Sequence, residues 1–254
     1  MSLVSVSHQD GVCTVRLERP EARNALSTAL LGELLDGLGQ AVSDETVRVI
    51  LLTGAGATFS AGADVREDLD MPATARRMEL FGQLFEAVVT APTPTIAVVS
   101  GHCVGGGAEL AAACDIRVAD ATATFRFPGA AMGYPVGAAK LVGLIGLGAA
   151  KDLVLTGRTI SGEEAARLGF VQHLVADGAT LAAAGDLAGQ IAANDRETVR
   201  YLKRLFDRFS GVSDRVAVEA DALLALARAG GDYEVITPPE GGVGSWAGGH
   251  RTGR

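Results

Sequence analysis

The chain has 254 residues, 48% apolar and 20% charged, enough to bury one large core or two small ones and too apolar for wholesale disorder. A formal net charge of −8 disfavours a nucleic-acid or membrane-surface binder, since either usually carries a basic stripe. Three cysteines (Cys13, Cys103, Cys114) without a CxxC pair, no basic-then-apolar leader and no apolar run of membrane-spanning length lead us to expect a cytoplasmic protein.

Val4, Val6 and His8, then Val12, Thr14 and Arg16, alternate on either side of Asp10-Gly11, which is a hairpin signal. Ser27 is placed to cap a helix in which Leu31, Leu34, Leu35, Leu38 and Val42 recur at helical spacing. VRVILLT (47–53) reads as a buried strand, GAGATFSAGAD (54–64) as a glycine-rich loop and 73–91 as a helix. TIAVVSG (95–101) is a second buried strand that runs directly into GHCVGGGAELAAACDI (101–116). DIRVAD (115–120) and ATFRFP (123–128) are short strands, 138–155 is helical, and FVQHLV (170–175) is another strand. Ser161 and Glu164 have capping-box spacing before a short helix. The pattern predicts an α/β core over 1–178, a helical C-terminal region over 179–230 and a Gly/Pro-rich tail over 231–254.

Two glycine turns follow buried strands. In FSAGAD (59–64) the glycines let backbone N–H groups turn into a cleft. In GGGAELA (105–111) they lead into a helix, whose first turn offers free N–H donors and the positive end of the dipole, so an oxygen gaining negative charge is stabilised there. Neither turn is a phosphate loop: no Lys-Ser/Thr follows Gly107, and the third glycine of a dinucleotide fingerprint is missing after Gly54 and Gly56. Glu109, taken alone, is also what a helix dipole favours in a first turn. The histidines have no metal-ligand spacing, and His102 reads as a packing residue. There is no GxSxG elbow, and Asp64, Glu67 and Asp68 read as a solvated acidic run around Arg66.

Together, RLERPEARNALS (16–27), FSAGADV (59–65), GHCVGGGAELAAACDIRVAD (101–120) and LTGRTISGEEAARLGFVQHLV (155–175) resemble the enoyl-CoA hydratase/isomerase (crotonase) family in order and spacing, across residues 3–230. The resemblance implies a crotonase-like α/β spiral of repeated strand-strand-helix units with a helical C-terminal region. It also implies a homotrimer or dimer of trimers that acts on an acyl-CoA, with CoA entering as part of the substrate and with no separate cofactor or metal. By the same resemblance the thioester oxygen lies between the backbone N–H groups of Ala63 and Gly106, and Glu109 moves the protons. An acid in apolar surroundings has a raised pKa and suits that task near neutral pH. Arg23, Ala61, Asp64 and Gly105 fall where the family contacts CoA.

The match departs in two places. The second hydratase glutamate follows a proline in the family, and here Pro128 is followed by Gly129. No carboxylate occurs between Asp120 and Asp152, the loop GYPVGAAKL (133–141) is short for the family, and Tyr134 is the hydroxyl on offer nearby. Three outcomes stay open: Glu109 does both jobs with an ordered water, it acts alone as the base of another enolate reaction such as isomerisation, hydrolysis or decarboxylation, or the protein binds acyl-CoA without turnover. Phe81, Phe85 and Met132 are candidates for the acyl pocket. The second departure is the C-terminal stretch 227–254, which lacks the family's helix over a neighbouring subunit's CoA and offers Tyr233 and Trp246 as its aromatics.

Overall fold

The computed structural model describes residues 2–233, so Trp246 and most of the tail lie outside the described residues. Strands β1 (Val4–Gln9) and β2 (Val12–Leu17) form the predicted hairpin, turned by Asp10 at φ 49° and Gly11 at φ 81°. Helix α1 (Thr28–Ser43) begins where expected, with Ser27 Oγ accepting from Leu30 N–H at 3.2 Å. Then come β3 (Val49–Gly54), α2 (Met71–Thr90), β4 (Thr95–Val99), β5 (His102–Val104), α3 (Gly106–Ala113), β6 (Ile116–Asp120) and β7 (Thr124–Arg126). The chain continues through α4 (Ala138–Thr156), β8 (Thr159–Ser161), α5 (Gly162–Arg167), β9 (His173–Val175), α6 (Thr180–Ala192), α7 (Arg196–Ser210) and α8 (Val212–Arg228).

The strands divide between two sheets. The larger has the order β1-β2-β3-β4-β6-β9, parallel except for the hairpin, and the smaller has the order β5-β7-β8. After β4 the chain drops one strand into the small sheet before each return: β4 then β5, β6 then β7. Each strand-strand-helix unit therefore advances along both sheets, which produces the spiral. The run 95–104 is accordingly two strands in different sheets, where the sequence predicts one strand running into a loop.

Two cores follow from the alternation of side chains along buried parallel strands. Ile50, Leu52, Ala97 and Val99 face the main core with α1, α2 and α3, while Val49, Leu51, Ile96 and Val98 face Ala184 and Ala188 of α6. Helix α8 crosses α2 so closely that a Cβ on Gly82 would stand 3.0 Å from Ala220 Cβ. The C-terminal helices thus complete the core. Helix α7 buries none of its residues and exposes Tyr201, Leu202, Phe206 and Phe209. No helix among the described residues is long and apolar enough to cross a membrane.

One buried cation fixes the helix that carries Glu109. The fully enclosed Arg117 guanidinium donates to the carbonyls of Ala111 (3.2 Å) and Cys114 (2.7 Å) at the end of α3, and to Phe170 O and Gln172 Oε1 beyond it. A cation at helix C-terminal carbonyls satisfies groups the helix leaves unpaired.

Candidate active site

The two glycine turns lie side by side. Ser60 N–H donates to His102 O (3.1 Å) and Val104 N–H to Ser60 O (3.0 Å), so the loop after β3 runs along β5. A second short parallel contact joins Leu26 to Ala63, with Leu26 N–H on Gly62 O (2.8 Å) and Asp64 N–H on Leu26 O (3.1 Å). This pairing uses the N–H of Leu26 and Asp64 and turns the N–H of Ala63 the other way. Gly62, at φ 89°, lies so close to the neighbouring turn that a Cβ would stand 2.6 Å from Val104 O and 3.3 Å from Gly106 N. Among the described residues, neither Ala63 N–H nor Gly106 N–H has an acceptor. Two unpaired donors from separate loops thus sit beside each other at the start of α3.

Glu109 lies in the first turn of that helix, 3% exposed. Its Oε2 is 2.8 Å from Lys140 Nζ, an ion-pair contact that is off the line of a good hydrogen bond. Lys140, 1% exposed in the first turn of α4, also donates to Glu219 Oε1 of α8 at 2.9 Å. Glu219 Oε2 accepts Ala139 N–H at 3.0 Å. Burial raises the Glu109 pKa and Glu219 adds to the rise, while Lys140 opposes it, leaving the acid at about 7. Burial lowers the Lys140 pKa, but the two carboxylates outweigh it and the group stays an ammonium. Gly137, at φ 104°, leaves room for the acid, since a Cβ there would stand 3.0 Å from Glu109 Oε1.

The family model for enoyl-CoA hydratase/isomerase matches residues 7–225. The chain belongs to the enoyl-CoA hydratase/isomerase family. It is 34% identical over 211 residues to the short-chain-enoyl-CoA hydratase of Clostridium acetobutylicum, a span of 81% of either chain. It is 33% identical over 223 residues to the 2,3-dehydroadipyl-CoA hydratase of Escherichia coli, covering 87% of this chain and 86% of that one. Among solved structures, an enoyl-CoA hydratase from Bacillus anthracis superposes with a TM-score of 0.79 at 32% identity, covering 86% of this chain and 90% of that one. An enoyl-CoA hydratase/isomerase from Xanthobacter autotrophicus gives 0.81 at 30% identity, covering 90% and 88%. The fold is the crotonase spiral, and the protein is an acyl-CoA enzyme of this family.

The segment after Pro128, where the resemblance leads one to expect a second acid, is closed. Tyr134 N–H donates to Gly129 O at 2.8 Å, folding the short loop back over Gly129. A Cβ on Gly129 would meet Tyr134 O and Val136 Cγ2, each at 2.8 Å. It is thus the backbone of Tyr134 that fills this place, and its side chain is half-buried against the core. Beyond the loop, Tyr233 donates its hydroxyl to Gly133 O at 2.8 Å.

The remaining sequence candidates fall into two groups. Arg23, exposed and in the left-handed region at φ 52°, accepts Ala61 N–H on its carbonyl at 2.9 Å, and its guanidinium has no partner among the described residues. Arg23 and Ala61 are therefore adjacent at the rim of the site. Gly105 and Asp64 are turned to internal bonding: Gly105 N–H donates to Arg126 O at 3.0 Å, and the Asp64 carboxylate pairs with Arg19 Nη1 at 3.0 Å. Burial would raise the Asp64 pKa, but the Arg66 N–H and the Arg19 pairing outweigh it and hold the acid below its ordinary range.

Asp64 and Glu67 therefore correct the expected solvated acidic run. Asp64 is buried, and Glu67 accepts from Thr28 N–H (3.0 Å) and pairs with Arg77 (3.3 Å), stapling the loop to α1 and α2. The expected packing role of His102 is also corrected, because it is exposed and its ring bonds, among the described residues, Thr124 Oγ1 at 3.0 Å. Phe81 and Phe85 are buried beneath the site, one against Gly106 and the other under Lys140, whereas Met132 is half-exposed on a surface turn.

The sequence reading passed over Lys140 and Glu219. Lys140 had a signal, being the lone charge between Arg126 and Lys151 in an otherwise apolar stretch. Glu219 had none, because only the crossing of α8 over α4 brings it there.

Proposed function

We propose that the protein performs enolate chemistry on an acyl-CoA thioester, of the hydratase/isomerase class. In this reading the N–H groups of Ala63 and Gly106 hold the thioester oxygen and Glu109 moves the proton. The observation that carries it is the buried Glu109 in the first turn of α3, one turn from a pair of unspent N–H donors. Charge that develops on the oxygen as the α-carbon loses or gains a proton would meet preorganised donors, and such donors are worth about 10²–10³ in rate each. A carboxyl with a pKa near neutrality exists in both of its forms and can give and take a proton in turn. Arg23 at the rim supplies a cation for the nucleotide phosphates of CoA, which enters as part of the substrate.

The enclosure of Gly129 favours a second, narrower reading: a one-acid reaction. Hydration asks for a proton at one carbon and an activated water at the other. Moving a double bond asks only that one acid take a proton from one carbon and return it to another. Both are tested with one pair of assays, wild type against Glu109→Gln: loss of the conjugated absorbance of crotonyl-CoA for hydration, and its gain from a β,γ-enoyl-CoA for isomerisation. Turnover of either substrate by wild type alone supports Glu109 as the proton carrier, and the substrate turned over decides between the readings. Binding of both thioesters without turnover would instead leave an acyl-CoA binder, with decarboxylase and thioesterase substrates next to be tried.

We infer further that the chain assembles as a homotrimer or dimer of trimers in the cytoplasm. The uncovered apolar residues Leu202, Phe206 and Phe209 of α7 support the assembly, and three buried free cysteines support the compartment. Light scattering on the eluted protein checks the first.

A further inference from the structure

We propose that Lys140 and Glu219 are positioning residues of the proton-transfer site: Lys140 holds the Glu109 carboxylate from behind, and Glu219, bound to the same ammonium, limits that hold. The proposal rests on the reading of Glu109 as the proton carrier.

The geometry makes Lys140 act through Glu109. Its side chain is 1% exposed and lies over the Phe85 ring, with Nζ 4.7 Å from the centroid, so the ammonium is committed to protein partners. What Nζ reaches is Glu109 Oε2 at 2.8 Å and Glu219 Oε1 at 2.9 Å. The ammonium is fixed because α8 grips the first turn of α4 at both the N–H and the carbonyl of Ala139. Glu219 Oε2 accepts Ala139 N–H at 3.0 Å, and Arg215 Nε donates to Ala139 O at 2.8 Å.

Two carboxylates share one ammonium where little water reaches. Fully ionised, the cluster carries one excess negative charge in a place that solvates charge poorly, and a proton on Glu109 removes it. The cluster therefore stores one exchangeable proton, and it stores it on a residue one helical turn along α3 from the two unspent N–H donors. Among the described residues the surroundings are otherwise neutral: β5 contributes the Cys103 thiol, pushed well up by burial and so protonated, and α2 contributes the rings of Phe81 and Phe85. The charges that act on Glu109 are thus one cation from α4 and one anion from α8.

The two partners must then pull in opposite directions, which a merely structural role would not produce. The test is the ionisation of the Glu109 carboxyl, followed by carbon-detected NMR on the full chain, in wild type, Lys140→Met, Lys140→Arg and Glu219→Gln. Lys140→Met should move the titration upward and Glu219→Gln downward, each by about one pH unit, a tenfold change in the ratio of ionised to protonated acid. Lys140→Arg should keep the wild-type value. The acidic limb of kcat on the substrate that wild type turns over should follow the same directions, with KM little changed. Shifts of the same sign in Lys140→Met and Glu219→Gln, or an unmoved titration in Glu219→Gln, would overturn the proposal. Should Lys140→Met fail to fold, the downward shift in Glu219→Gln and the rescue by Lys140→Arg decide it. Full turnover by Glu109→Gln would sink the proton-carrier reading, while the NMR titration would still judge the cluster itself.

Discussion

Replacing Glu109 by Gln should make the protein more stable at alkaline pH, and the size of the gain follows from the burial of this one acid. Folding raises its pKa from the ordinary 4.5 to about 7, chiefly by burial, with Lys140 pulling the other way and Glu219 adding to the rise. Between those two values the folded chain holds a proton that the unfolded chain has released, so stability falls as pH rises across the window. The contribution is fully present below about 4.5 and is lost as pH passes 7. Integrated, the loss is about 3 kcal/mol.

Gln reproduces the shape and neutrality of the protonated acid and cannot ionise, and Lys140 retains Glu219 as its counter-ion. The two proteins should therefore melt together near pH 5 and diverge above it. At pH 8 the variant should lead by up to roughly 6–12 °C, given about 2–4 °C per kcal/mol for a chain of this size. Melting curves by circular dichroism at pH 5, 6, 7 and 8 read this directly, because the other titrating groups are common to both proteins. Parallel curves, or a variant that melts below wild type at pH 8, would refute the reasoning. The second result would mean that Glu109 is an ordinary low-pKa partner of Lys140.

Two further outcomes follow from the rim and the closed loop. Gly129→Glu should not confer or improve hydration of crotonyl-CoA, and urea unfolding should show a loss of about 1–3 kcal/mol, because its Cβ meets Tyr134 O and Val136 Cγ2 at 2.8 Å. Arg23→Ala should raise KM for an acyl-CoA several-fold with kcat and Tm unchanged, since this exposed guanidinium has no partner among the described residues. The same variant should show no KM change with an acyl-pantetheine thioester, which lacks the nucleotide.

What the sequence made legible was local. The hairpin at Asp10-Gly11, the Ser27 and Ser161 caps and the two glycine turns each depend on a few adjacent residues, and each is found in place. The glycines carry a further reason that the sequence does not show. Gly106 and Gly107 are bare because a Cβ would stand 2.7 Å from Phe81 Cε1 and 2.6 Å from Ser60 Cβ, so protein packing, before any ligand, excludes a side chain there. The strand His102–Val104 was missed because three residues between glycines show no alternation. Lys140 and Glu219 were missed for a deeper reason. A lone charge in an apolar stretch marks Lys140, but the partners that make it a cluster come from helices that meet solely in the folded chain. Asp64 and Glu67 make the same point, since the cations that bury them, Arg19 and Arg77, lie on other segments.

The loop that folds over Gly129 also bears on how such a site can change over generations. An acid at position 129 needs the space that Tyr134 and Val136 occupy, and a longer loop that withdraws them has no advantage until the acid is there. The acid alone is a loss and the longer loop alone gains nothing, so only the two together introduce a second carboxylate. Position 129 and the loop 133–137 are thus coupled, and a change at one is expected to be tolerated only with a change at the other.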